Sequence, residues 1–410
     1  MSARDTMLSR LRRRKPETPL SRDFYCSQED YQVDLEMIWY RDWLFVGHDC
    51  EINNIGDFLT VQVGDYPVVI VRDRDASIKA FHNSCRHRGS RICSTVHGNA
   101  PRLTCPYHQW TYQLDGRLMA ARDMGNDFDK SKYGLKPVHC ASVGGYIWIC
   151  LGKVAPDFEG IRQHIEPYFA PHKLHQTKVA FESTTVENAN WKLVWENNRE
   201  CYHCAANHPE LCRTFPEDPA VTGVSGGGDD PKIAAKWRHW ESLGLPSKFN
   251  LSANGQYRTA RMPLIEGAVS YTMTGNAAVR RPLTDTVTEK DIGTLLLFHY
   301  PTTWNHVMGD HATSFRLLPL GPLHTQLTTK WLVHKDAVEG VDYDVKEMTE
   351  VWLATNSEDK RICQENQIGV LSPGYDPGPF SPVHEGGAAQ FVDWYASHME
   401  GRLLEDAEQS

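Results

Sequence analysis

The sequence predicts an α+β protein in two parts: a small all-β domain over 42–155, and a larger domain, 1–41 with 156–410, in which an antiparallel sheet is flanked by helices. Three observations carry this. From about Trp43 to Leu151, short β-rich runs (Phe58-Leu-Thr-Val-Gln-Val63, Pro67-Val-Val-Ile-Val71, Gly145-Tyr-Ile-Trp-Ile-Cys150) are broken by turn residues, with Asp115-Gly116 as a hairpin turn. After Lys153-Val-Ala-Pro156 the pattern changes to helices, one over Asn190–Asn207 and one over Asp342–Gln367. Between them, Thr294–Tyr300, Ser314–Leu318 and Gln326–Val333 read as strands of one antiparallel sheet. A chain of 410 residues is long enough for two cores.

The bulk properties exclude several classes. With 40% apolar and 23% charged residues, and no apolar run near the length of a membrane span, no membrane segment is expected. A net charge of −9 argues against a nucleic-acid binder. The basic run Arg10-Leu-Arg-Arg-Arg-Lys15 lacks the apolar stretch and cleavage site of an export signal and reads as a solvated N-terminal arm. Eleven cysteines, an odd number scattered without such a signal, point to a reducing, cytoplasmic setting in which cysteine is a ligand or a core residue. Three consecutive glycines within Thr222–Pro231 predict a surface loop.

The chemistry begins at Cys85-Arg-His87 and Cys105-Pro-Tyr-His108, a C-x-H clip paired with a C-x-x-H clip. Zinc accepts the same four donors, so donor count alone does not name the metal. Each clip here supplies one thiolate and one imidazole, which suits a two-iron, two-sulfur cluster of the Rieske type, with two cysteines on one iron and two histidines on the other. Neutral imidazoles in place of two thiolates raise the potential from about −400 mV to roughly −150 mV or above, making an easy acceptor of electrons. Cys93, between the clips, reads as a small buried residue.

A second constellation lies in Asn190-Trp-Lys-Leu-Val-Trp-Glu-Asn-Asn-Arg-Glu200-Cys-Tyr-His203-Cys-Ala-Ala-Asn-His208-Pro209. Glu200 and His203 share a helical face. His203 and His208, five apart, converge only if the helix ends between them, and Pro209 forces its predecessor away from helical geometry. A third ligand is offered by Val351-Trp-Leu-Ala-Thr-Asn-Ser-Glu358-Asp359, where periodicity does not choose between the two acids. Two histidines and one carboxylate form the facial triad of non-haem ferrous iron, with positions left open for dioxygen and substrate.

These two constellations, in this order and over nearly the whole chain, resemble the oxygenase (α) subunit of the Rieske non-haem iron ring-hydroxylating oxygenases. The resemblance selects Asp359 over Glu358 as third ligand. It implies electron flow from a separate NAD(P)H-dependent flavin and iron–sulfur reductase to the cluster, then to mononuclear Fe(II), with O2 as co-substrate, usually across a subunit boundary in a homotrimer. An acidic residue just before the first iron histidine bridges that boundary in the family; Glu200 stands there, where most aromatic-ring dioxygenases have aspartate. The stretches Asn-Asn-Arg-Glu200-Cys-Tyr-His203-Cys, Asn207-His208-Pro-Glu, Trp304-Asn-His-Val-Met-Gly-Asp-His311 and Trp331-Leu-Val-His-Lys-Asp look like the branch acting on quaternary ammonium compounds. The reaction so implied is oxidative N-demethylation with release of formaldehyde, glycine betaine going to dimethylglycine. Stachydrine, carnitine and choline are alternative substrates, and aromatic-ring hydroxylation or O-demethylation is the alternative chemistry. A methylated ammonium offers no hydrogen-bond donor, so its pocket is expected to be an aromatic cage, for which Tyr202, Tyr300 and Trp304 are the candidates. The sequence offers many histidines and arginines for a substrate carboxylate and singles out none.

Overall fold

The computed structural model describes residues 2–218, 228, 230–284 and 287–409. They form two compact units, Trp39–Arg162 and the pair of segments Met1–Ile38 and Gln163–Ser410. Most of the glycine-rich stretch Thr222–Pro231 lies outside the described residues. No helix among the described residues is long and apolar enough to cross a membrane.

The smaller unit is built from ten strands: β1 (Leu44–His48), β2 (Asp57–Val63), β3 (Tyr66–Arg72), β4 (Ile78–His82), β5 (His97–Asn99), β6 (Leu103–Thr104), β7 (Thr111–Tyr112), β8 (Leu118–Ala120), β9 (Pro137–Val143) and β10 (Tyr146–Cys150). Seven join in the order β1-β10-β9-β4-β3-β2-β5, and β6-β7-β8 form a small separate sheet. The β9–β10 hairpin closes on Gly144-Gly145, with φ of 60° and 83° and Val143 paired to Tyr146. A two-residue turn of this kind needs positive φ at both centres, which is why two glycines stand there. The connections β4–β5 and β6–β7 carry Cys85-His87 and Cys105-His108 over an apolar core that includes Val69, Phe81, Leu103, Trp110 and Tyr112.

The larger unit carries the expected antiparallel sheet: β11 (Thr177–Glu187), β12 (Asn250–Leu251), β13 (Tyr257–Met262), β14 (Thr294–His299), β15 (Thr303–Val307), β16 (Ala312–Gly321) and β17 (His324–His334). Strands β12 to β17 form a meander, and β11 returns along β17 at the edge. The helix Val345–Leu371 starts on an Asp344 cap whose side chain accepts from Glu347 N–H. It buries Met348, Val351, Trp352, Thr355, Asn356, Cys363, Gln367 and Val370, a stripe of helical spacing. Asn356 donates to Thr329 of β17 at 2.9 Å and Gln367 accepts from Asn190 N–H at 2.8 Å, fixing this helix against the sheet and against the start of the helix Trp191–Asn198.

Three expectations are corrected. The single helix expected over Asn190–Asn207 is two, Trp191–Asn198 and Cys204–Asn207, with the chain leaving helical geometry at Arg199. The basic run is no free arm: it falls on and just after the helix Ala3–Arg12, where Met7 and Leu11 are buried. Arg10 pairs with Asp23 and Asp30, Arg12 with Glu400, and Arg14 with Asp393. Those acids are remote in sequence, so local reading could not supply them. Nor are all cysteines ligands or free core residues, since Cys201 and Cys204 form a disulfide.

At the centre of the larger unit Lys192 and Asp34 form an ion pair with both side chains fully buried. Trp191 Nε1 and the Tyr395 hydroxyl donate to the same carboxylate at 3.1 and 2.7 Å, and the Lys192 ammonium lies 5.0 Å from the Tyr395 ring centre. Lys192→Met, leaving a buried carboxylate without its cation, is expected to cost about 3–5 kcal/mol, and the double replacement with Asp34→Asn distinctly less. Denaturant midpoints of the two variants check this.

Candidate metal centres and cavity

In the smaller unit the two clips share one backbone design. Cys85 N–H donates to Ser90 C=O at 2.9 Å while Gly89 N–H donates back to Cys85 C=O at 2.9 Å; Cys105 N–H donates to Trp110 C=O at 2.8 Å and Gln109 N–H to Cys105 C=O at 3.1 Å. Gly89 and Gln109 both have positive φ, 78° and 60°, which turns the chain back after each histidine. The rings of His87 and His108 come to 4.8 Å at 73°, and His87 lies flat on Trp110 at 4.9 Å. Cys85 and Cys105 are buried, whereas His108 is exposed, so the thiols line the floor and the imidazoles the rim. Burial raises the Cys85 thiol, and an anionic sulfur there needs a counter-charge.

Two further contacts fit a cluster in this cradle. His87 Nδ1 is buried with no hydrogen-bond partner, a donor atom kept free on its inner side. The Tyr112 hydroxyl lies 3.3 Å from Cys85 Sγ while accepting Arg86 N–H at 3.0 Å, so its own proton is available to the sulfur. Asn83 holds the connecting loop through Ile92 N–H, Cys93 N–H and Cys93 C=O, and Cys93 sits in the core with its thiol pushed up to about 11 by burial.

In the larger unit the break after Asn198 creates the second centre. His203 and His208 flank the short helix Cys204–Asn207, and His208 before Pro209 is non-helical (φ −121°, ψ 65°). Their Nε2 atoms stand 3.0 Å apart, and Asp359 Oδ1 lies 3.3 Å from His203 Nε2 and 3.0 Å from His208 Nε2. Three donors bound at right angles with bonds of about 2.1 Å would stand about 3.0 Å apart, which is this triangle. Apart from these two imidazole nitrogens, the buried Asp359 Oδ1 has no hydrogen-bond partner among the described residues, as fits an atom aimed at a cation. Each histidine gives its other nitrogen to a carboxylate: His203 Nδ1 to Glu200 Oε1 at 2.5 Å and His208 Nδ1 to Glu358 Oε2 at 2.8 Å. Both acids that periodicity left open therefore have a place, Asp359 at the centre and Glu358 behind His208. Burial pushes both imidazoles down, but the neighbouring carboxylates together more than offset it: Asp359 with Glu200 raises His203 to about 9, and Asp359 with Glu358 raises His208.

A cavity of about 110 Å³ opens on this triangle. Besides the triad it is lined by Phe215, Phe298, Trp304, His306, Trp352, Arg199 and Arg258. Of the three cage candidates, Trp304 lines this cavity. Tyr202 is 62% exposed and stacks on His384, and Tyr300 is buried behind the cavity with its hydroxyl bonded to Gln390 and Arg199, so neither lines it. Trp352, two turns before Asp359 on its helical stripe, was recoverable from spacing, whereas Phe215 and Arg258 carried no local signal.

With both centres described, comparison with known proteins is decisive for the family. Residues 174–401 match the ring-hydroxylating alpha subunit catalytic domain and residues 42–138 match the Rieske [2Fe-2S] domain. The chain belongs to the Rieske ring-hydroxylating oxygenases, as an oxygenase subunit whose two domains bring a [2Fe-2S] cluster and a mononuclear iron. It is 46% identical to the glycine betaine monooxygenase oxygenase subunit of Chromohalobacter salexigens, over 99% of this chain and 91% of that one. It is 44% identical to the subunit of the same name from Pseudomonas aeruginosa, over 99% and 94%. Among solved structures, the quaternary ammonium Rieske monooxygenase CntA superposes with a TM-score of 0.72 at 21% identity, covering 95% of this chain and 98% of that one, a likeness of fold.

The geometry sets two expectations. Tyr112→Phe should leave cluster absorbance intact and lower the reduction potential, read by dye-coupled titration, because a hydrogen bond to sulfur favours the reduced state. Glu358→Gln should weaken iron binding about 10- to 100-fold with cluster content unchanged, measured by metal analysis after graded chelation.

Proposed function

We propose that this chain is the oxygenase component that N-demethylates glycine betaine to dimethylglycine and formaldehyde, working as a homotrimer in the cytoplasm with a separate NAD(P)H-dependent flavin and iron–sulfur reductase. The observation that carries the reading is 46% identity, spread over 99% of the chain, to a glycine betaine monooxygenase oxygenase subunit. Cavity size agrees: at about 10–15 Å³ per water-sized group, 110 Å³ admits a ligand of roughly ten heavy atoms or fewer.

In this reading Cys85, His87, Cys105 and His108 hold the cluster, and His203, His208 and Asp359 hold the iron. When bound, the two centres supply electrons and dioxygen activation. The chain's own residues do the rest. Trp304, Trp352 and Phe215 offer ring faces to the trimethylammonium, holding the cation without hydrogen bonds and leaving one N-methyl toward the triad. Oxygen enters one C–H of that methyl, and the second oxygen atom leaves as water at the expense of two electrons and two protons. The resulting hydroxymethyl group loses its hydroxyl proton and its C–N bond breaks, the pair staying on nitrogen and the carbon leaving as formaldehyde. Glu200 fixes His203 through Nδ1 and carries the electron coupling to the neighbouring subunit's cluster.

Enzyme reconstituted with reductase, NAD(P)H and glycine betaine should release formaldehyde in step with cofactor oxidation; hydroxylation of aromatic acids with no formaldehyde from any betaine would refute the reading. Trp304→Ala should raise KM for glycine betaine about 3- to 30-fold, the range of a desolvated cation–π contact. Glu200→Gln should keep both metals and lose most turnover, and normal turnover would leave Glu200 a supporting role only.

A further inference from the structure

The cavity holds two guanidinium groups that the chemistry above does not use. Arg258 stands on β13, paired in register with Phe298 of β14, and is 7% exposed. Its Cζ lies 5.1 Å from the ring centre of Phe298 and 5.3 Å from that of Phe249, and its Nε is buried with no hydrogen-bond partner. Arg199, at the end of the helix Trp191–Asn198, lies 4.1 Å from the same Phe298 ring and donates through Nε to the Tyr300 hydroxyl at 2.9 Å. Among the described residues no carboxylate forms an ion pair with either arginine. The three acids of the site, Glu200, Glu358 and Asp359, are each engaged by a histidine.

Two like charges buried side by side without a counter-ion are costly, and their fields are felt by their neighbours. Burial and Arg199 bring Arg258 down to about 9, and burial with Arg258 drives His306 to about 3, so His306 adds no charge of its own. The pocket thus keeps a fixed positive end, with planar donors suited to a carboxylate, beside aromatic faces suited to an ammonium.

We infer that Arg258, with Arg199 beside it, is the carboxylate receptor of this cavity and selects zwitterionic betaines over quaternary amines that lack a carboxylate. The assignment rests on the proposed function for the ammonium end of the ligand and adds the anionic end.

Calorimetric titration of the holoenzyme without reductase, so that nothing turns over, tests it with glycine betaine, choline and acetate as probes. Wild type should bind glycine betaine more tightly than choline, with acetate as a competitor. Arg258→Met should raise the glycine betaine Kd about 10- to 100-fold, the range for a bidentate charge-assisted contact, leave choline within about twofold and abolish competition by acetate. Arg258→Lys, which keeps the charge and the fold, should fall between. The assignment is overturned if glycine betaine binds Arg258→Met as tightly as wild type, if betaine and choline weaken equally in a variant with full metal content, or if wild type binds neither glycine betaine nor acetate. A parallel formaldehyde assay separates the two claims. Selective binding through Arg258 without formaldehyde refutes the demethylation and supports the receptor; formaldehyde with unselective binding does the reverse.

Discussion

The larger unit depends on a charge placed where charge is most expensive. Lys192 sits in the first turn of the helix Trp191–Asn198, and its ammonium reaches Asp34, a carboxylate also claimed by Trp191 and Tyr395. A pair of this kind adds little net stability over apolar residues, but it tolerates only one arrangement of its partners. Asp34 ends the helix Gln28–Asp34, Lys192 is the second residue of the iron-site helix, and Tyr395 lies within the helix Gly386–Gln409. Three remote segments are thus locked in one register. The far end of the iron-site helix, where the chain breaks and turns His203 and His208 inward, inherits that register.

The break itself arises from local competition for backbone groups. Glu200 reaches forward to the Tyr202 N–H and to His203, giving this stretch bonds that a continuing helix would not offer. The side chain that stops the helix is thus also the one that sets the tautomer of the first histidine, since a proton donated from Nδ1 leaves Nε2 free to face the centre. Local folding and ligand preparation are one event at this position.

What could be read from sequence follows from range. The cluster ligands lie in two short clips whose spacing is local, and the strands around them alternate or run apolar over a few residues, so both were legible. His203 and His208 were legible because Pro209 announced the helix end. The third ligand was not settled by periodicity, because Glu358 and Asp359 sit about 100° apart on the helix and both face the histidines. The helix Gly386–Gln409 went unread behind its opening glycines, although Phe391, Tyr395, Met399 and Leu403 repeat at helical spacing. Arg258 belongs to a third group: what marks it is that no carboxylate among the described residues forms an ion pair with it, which no linear pattern records.

Gly387 shows where this architecture is least forgiving. A Cβ at that position would lie 2.1 Å from the carbonyl oxygen of Arg199 and 3.4 Å from its guanidinium. The residue at the start of the last helix therefore lets the backbone come close enough to define where Arg199 points. The anionic end inferred for the pocket is thus partly set by a position that has no side chain and is not among the residues lining that cavity. Directed evolution confined to cavity-lining codons would never sample it, and a library that did would change the shape of the anionic end of the pocket through the backbone rather than through contact.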